Sequence, residues 1–142
     1  MMTDEMQIKL KRSLIEHEGL KEFPYVDTLG NVTIGIGYNL SSRGLPDAWI
    51  NVQYNQDVQY FYEQLCTFPW YLSLNQDRQI ILIDMAFMGW KRFLGFTEMI
   101  AALERKDYLT ASHEMLNSEW ALEVKNRATE LAAGMLSGVY NV

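Results

Sequence analysis

The helical hydrophobic period of this chain is interrupted once. Residues 24–46 hold most of its turn chemistry: Pro24, Gly30, Gly35, Gly37, Gly44 and Pro46. Within that stretch Val32, Ile34 and Ile36 alternate with Thr33, Gly35 and Gly37. Such two-residue alternation is the pattern of a strand. Thr28-Leu29-Gly30-Asn31 is a turn signal, and Phe23 to Val26 offers a partner strand. A small hairpin is therefore predicted over 24–38. The sequence on both sides reads as helix. The expected class is α+β, mostly α: a helical body with one small β lobe inserted after the first helix.

The helical pattern can be followed in pieces. Thr3 is a good N-cap, with Asp4 and Glu5 in the favoured first turn. Met6, Leu10 and Leu14 recur at four-residue spacing, Ile15 widens the stripe, and Gly19 is a natural terminator. After Pro46, Val58, Phe61, Tyr62 and Leu65 make an apolar face that ends near Pro69. Ile80, Ile83, Met85 and Phe87 mark the next helix, ending near Gly89. Met99, Ile100 and Leu103 predict a short helix after Thr97, and two more are expected near 108–117 and 119–135.

Composition narrows the function classes. The 142 residues suit one domain, with room for two lobes around a cleft. A chain of this length buries roughly two-thirds of its unfolded surface and needs no disulfide staples. Cys66 is the single cysteine, so no internal disulfide forms and a Cys-rich metal site is excluded. Only His17 and His113 supply imidazole, so a His-based metal site is poorly supplied; no metal and no cofactor is expected. Eighteen acids against twelve bases give a formal net charge of −6, which argues against nucleic-acid binding. The N-terminal stretch MMTDEMQIKLKRSLIEHEG reads as neither a signal peptide nor a membrane anchor.

Three residues carry candidate chemistry. Glu18 falls where the first helix ends, against the negative end of its dipole. Asp27 lies beside the turn, where Asp also serves purely local hydrogen bonding. Thr33 is on the polar phase of the strand. A hairpin folding back over the helix end would set two carboxylates facing each other across a cleft. Glycoside hydrolysis needs that pair: one protonated acid and one ionised carboxylate flanking the scissile bond.

The stretch EHEGLKEFPYVDTLGNVTIGIGYNL, residues 16–40, resembles the phage-type lysozymes of glycoside hydrolase family 24, the T-even phage lysozyme fold. The family pattern is a Glu, eight residues, an Asp, five residues, a Thr. Glu18, Asp27 and Thr33 match it, and Glu18-Gly19-Leu20, Tyr25-Val26-Asp27-Thr28 and Thr33-Ile34-Gly35-Ile36-Gly37 match its flanks. Weaker likenesses extend along nearly the whole chain: Asn55-Gln56-Asp57-Val58, Asp84-Met85-Ala86-Phe87, Gly95-Phe96-Thr97, Trp120 and Asn126-Arg127-Ala128.

The resemblance implies a two-lobed fold, with a small β-containing lobe over about 20–55 and a helical lobe formed by about 1–19 and 56–142. It implies a muramidase cutting the β-1,4 bond of peptidoglycan glycan strands by inversion. Glu18 would be the general acid, with Asp27 and Thr33 positioning water. Arg127 is carried over as an ion-pair partner of Glu18, and Asn126, Phe87 and Tyr38 as supporting residues. A monomer made in the host cytoplasm and reaching the wall after holin-type release, or as part of a virion, is the implied setting.

Three departures from the family stand out. The segment between Tyr38 and Asn55 is about twenty residues shorter than in the T-even enzymes, so fewer sugar subsites are expected. Tyr38 replaces a His that pairs with the counterpart of Asp57, and a Tyr–Asp hydrogen bond would stand in for that ion pair. The chain is acidic where those enzymes are basic, so nonspecific adsorption to an anionic wall should be weak. Of the tryptophans, Trp120 is expected in the core and Trp49, in the shortened segment, is the sugar-facing candidate. The eight methionines are expected to fill core. A lytic transglycosylase, which needs one acid and no activated water, and a non-catalytic wall-binding domain of a phage tail are the rival readings.

Overall fold

Thr3 caps the first helix by accepting the Met6 N–H on its side-chain oxygen, 3.3 Å away. The helix, α1, runs Asp4–Glu18 and stops at Gly19, whose φ of +80° suits a residue without a Cβ. From there the computed structural model, which describes residues 1–142, follows the expected change of period. Three antiparallel strands form one sheet in the order β1-β2-β3: β1 Lys21–Val26, β2 Val32–Gly35 and β3 Tyr38–Asn39. β1 pairs Tyr25 with Thr33 and Val26 with Val32, and its register shifts between Lys21 and Tyr25. Pro24 lies in that shift, on an edge strand, where a residue lacking an N–H is tolerated. The two-residue β3 extends the predicted hairpin to a three-stranded sheet.

The rest of the chain is helical. The elements are α2 Leu40–Arg43, α3 Asp47–Cys66, α4 Pro69–Leu72, α5 Gln76–Ala86, α6 Trp90–Leu94, α7 Thr97–Glu104, α8 Tyr108–Leu116, α9 Glu119–Val124 and α10 Asn126–Ser137. The protein is mostly helical with a small antiparallel sheet, an α+β architecture weighted to α. No helix is long and apolar enough to cross a membrane. One helix expected over 119–135 is two, because Lys125 turns the backbone at φ +49° and ψ −111°. Neither a Gly nor a Pro marks that break. The four-residue helices α2 and α4 were too short to show a period, although Pro69 opens α4 at a position where proline is favoured.

The chain divides into two compact units, Met1–Gln53 and Tyr54–Val142. The first unit contains α1, which the family resemblance assigns to the helical lobe. α1 has no buried residue, and its apolar stripe is exposed at Met6, Leu10 and Leu14.

The second unit holds the core. On α10, Ala128, Leu131, Ala132 and Met135 follow the i, i+3, i+4, i+7 spacing of one helix face, and all are buried. α5 meets that core with Ile81, Leu82, Met85 and Ala86, whereas Ile80 is half exposed. Trp120 is 2% exposed, as expected of a core residue. Met85, Met99, Met115 and Met135 are fully buried, while Met1, Met2 and Met6 are exposed. The α10 end is clasped by α5: Arg78 donates to the Met135 and Leu136 carbonyls at 2.8 and 3.1 Å, and Asn75 to Gly138 O at 2.8 Å.

Candidate active site

Glu18, Asp27 and Thr33 all belong to the first unit. Glu18 is the last residue of α1 and is exposed. Its carboxyl lies over the turn between β2 and β3. A Cβ built on Gly37 would stand 3.0 Å from Glu18 Oε2, 3.2 Å from Cδ and 3.3 Å from Cγ. Gly37 also has φ +67°, so glycine is suited there twice: by backbone conformation and by the closeness of the carboxyl.

Asp27 builds the turn that follows β1. Its Oδ1 accepts from Leu29 N–H at 2.9 Å and from Asn31 N–H at 2.8 Å, and Oδ2 accepts from Asn31 Nδ2 at 3.4 Å. Its own N–H donates to Asn31 O at 2.9 Å. The Asn31 backbone N–H, with help from Leu29, Gly30 and the Asn31 side chain, holds the Asp27 carboxyl below its ordinary value. Asp27 is thus an ionised carboxylate in neutral solution, anchored by the loop it organises.

Thr33 sits on the central strand, paired with Tyr25 on one side and Asn39 on the other. It is 4% exposed, and its hydroxyl donates to Asn31 O at 3.2 Å. One carbonyl therefore gathers the Asp27 N–H and the Thr33 O–H. Asn31, noted in the sequence only as part of a turn, is the residue that joins the second acid to the hydroxyl. The Asp-to-Asn spacing across a four-residue turn was the signal available for it.

The remaining candidates are distributed differently. Tyr38 gives its hydroxyl hydrogen to Gly44 O at 2.7 Å, and a phenol has one hydrogen to give. That hydrogen bond closes the α2 loop. Trp49 packs on Tyr38, ring centroids 4.8 Å apart, and is 49% exposed. In the second unit Arg127 donates from Nε and Nη2 to Asp84 Oδ1 at 2.9 and 2.6 Å, and from Nη2 to Asp84 O. The guanidinium is held by a carboxylate and a carbonyl of α5. Phe87 and Arg127 line one cavity of about 470 Å³ with Tyr54, Val58, Ile83 and Asp84, and Phe87 meets Phe61 at 5.2 Å. Asn126 opens α10 and is exposed.

No group of three or more His, Cys, Asp or Glu side chains is arranged to hold a metal ion. No family model and no curated protein sequence matches the chain.

Proposed function

We propose that the protein is a peptidoglycan hydrolase of the muramidase type, with a lysozyme-like two-lobed fold. It cleaves the β-1,4 bond between N-acetylmuramic acid and N-acetylglucosamine. Glu18 delivers a proton to the leaving oxygen, and Asp27 activates water with help from Thr33. The product is inverted, a geometry that requires carboxyls about 6.5–9.5 Å apart with water between them. The observation that carries this reading is the first unit itself. An exposed carboxyl at a helix end lies against a sheet turn, while the Asp27 backbone N–H and the Thr33 hydroxyl share one carbonyl, with the Asp27 side chain an ionised carboxylate.

The same reading takes peptidoglycan glycan as the partner, a monomer as the working state and the bacterial wall as the place of action. Release from the host cytoplasm through a membrane lesion, or carriage on a virion, would deliver it there. One observation favours a second reaction on the same bond. Thr33 is buried and its hydroxyl hydrogen is already committed to Asn31 O. A lytic transglycosylase uses a single acid and no activated water, so it asks nothing of Thr33.

Digestion of purified peptidoglycan with mass spectrometry of the fragments separates the two. Reducing N-acetylmuramic acid ends carrying one added water support the muramidase, and 1,6-anhydro ends support the transglycosylase. In either case Glu18→Gln should lower turnover by about 10²–10⁴-fold, the usual worth of a general acid. Wild-type turnover in that variant refutes both reactions. Glycan binding without any fragment would leave a wall-binding module.

A further inference from the structure

Arg43 is the only charged residue between Asp27 and Asp47. It ends the short helix α2, and its guanidinium carbon lies 4.3 Å from the centroid of the Tyr38 ring. Tyr38 is itself fixed at both ends. Its backbone pairs with Ile34 in the sheet, and its hydroxyl is tied to Gly44 O. Trp49 completes the group, packed on Tyr38 with a ring half exposed. The ion pairs of the protein join Arg92 to Glu123, Arg105 to Asp107 and Arg127 to Asp84. Arg43 takes part in none of them. In a chain with six more acids than bases, this cation is held on an aromatic ring without a carboxylate partner.

A guanidinium in that state keeps its planar fork of donors free, the geometry that fits a carboxylate through two parallel hydrogen bonds. A half-exposed indole beside it offers the flat apolar face on which a pyranose ring stacks. Strand alternation sets Tyr38 and Ile34 on one face of the sheet and Thr33 and Asn39 on the other. The aromatic group is therefore separate from the Asp27–Asn31–Thr33 network.

We propose that Trp49, Tyr38 and Arg43 form a binding platform for a saccharide that bears a carboxylate. Trp49 stacks on the sugar ring, and Arg43 holds the acid. The assignment rests on the peptidoglycan reading above, because the lactyl ether of N-acetylmuramic acid ends in such a carboxylate wherever the glycan strand carries no stem peptide. Arg43 becomes the residue that distinguishes peptide-free wall glycan from peptide-bearing strands and from a neutral N-acetylglucosamine polymer.

The test is calorimetric titration of the full chain carrying Glu18→Gln, so that ligand is not consumed. Two probes are used: the tetrasaccharide of alternating N-acetylglucosamine and N-acetylmuramic acid, and the same molecule with its carboxyls amidated. Arg43→Gln should weaken the acidic tetrasaccharide by about tenfold or more and leave the amidated one unchanged. Trp49→Ala should weaken both, with circular dichroism reporting that each variant is folded. Equal effects of Arg43→Gln on the two probes, or no effect on either, overturn the platform. Fragment release from peptidoglycan by the wild-type chain beside an indifferent Arg43→Gln removes the platform alone. Absence of both binding and fragment release removes the peptidoglycan reading with it.

Discussion

Gly35 and Gly37 offer a matched pair of perturbations. Both have φ +67°, and both lie at the turn between β2 and β3. A Cβ at Gly35 meets nothing within 4 Å, whereas one at Gly37 meets Glu18 Oε2, Cδ and Cγ at 3.0, 3.2 and 3.3 Å. Replacing either by alanine forces an L-residue into left-handed backbone, at about 1–2 kcal/mol. The two variants should therefore lose similar stability, seen as a Tm lowered by several degrees in each. Only Gly37→Ala should also displace the Glu18 carboxyl, which must retreat by a few tenths of an ångström. A misplacement of about 1 Å in a reacting group costs about 10²-fold in rate, so this smaller one should cost about three- to tenfold. Peptidoglycan turnover gives the first readout, compared at equal folded fraction. The carbon-13 shift of the Glu18 carboxyl gives a second that needs no substrate. It should move in Gly37→Ala and stay in Gly35→Ala. Equal shifts in both variants, or none in Gly37→Ala, would refute the claim that Gly37 sets the position of this acid.

Two further outcomes follow from the structure. The Asp27 carboxyl is held below its ordinary value of 3.8, chiefly by the Asn31 N–H, so the folded state favours its ionised form. That contribution is complete above the ordinary value and disappears as pH falls through the lowered one. The stability gap between wild type and Asp27→Asn, followed by urea unfolding from about pH 6 to about pH 2.5, should narrow at the acid end; a constant gap refutes it. In the second unit, a Cβ on Gly134 would stand 2.8 Å from Cδ1 of the buried Ile81. Overpacking of about 1–3 kcal/mol outweighs the helix preference of about 1 kcal/mol that alanine adds. Ile81→Val deletes that Cδ1, so the double variant should lose clearly less stability than the two single losses added together. Strict additivity would show that the two side chains do not compete for space.

What could be read in advance divides by the range of the interaction. Thr3 and Gly19 act on their own helix ends, and both were legible because a cap is a local choice among few residue types. The alternation at Val32 to Gly37 was legible for the same reason, since its period is visible without knowing what pairs with it. The two-residue β3 has no period to display, and Lys125 adopts a left-handed φ with no glycine to announce it. The candidate site shows the same division inside itself. Glu18, Asp27 and Thr33 could be named from their spacing, and the Asp27 turn could be anticipated from its neighbours. The partners that give them their state could not: Gly37 beneath Glu18, and the Asn31 carbonyl shared by Asp27 and Thr33. Arg127 makes the point from the other side. Its segment resembles a family motif, yet its guanidinium is held by Asp84, forty-three residues away in the chain. Any acidic side chain that the fold brings within reach can satisfy a guanidinium, so residue type restricts the partner to a class and tertiary geometry selects the member. Arg43 follows from the same argument. Arg43 is the only charged residue between Asp27 and Asp47, and none of the three ion pairs supplies it with a partner. The aromatic ring beneath it fixes its position without neutralising its charge, which leaves the guanidinium free for an anion that the chain itself does not provide.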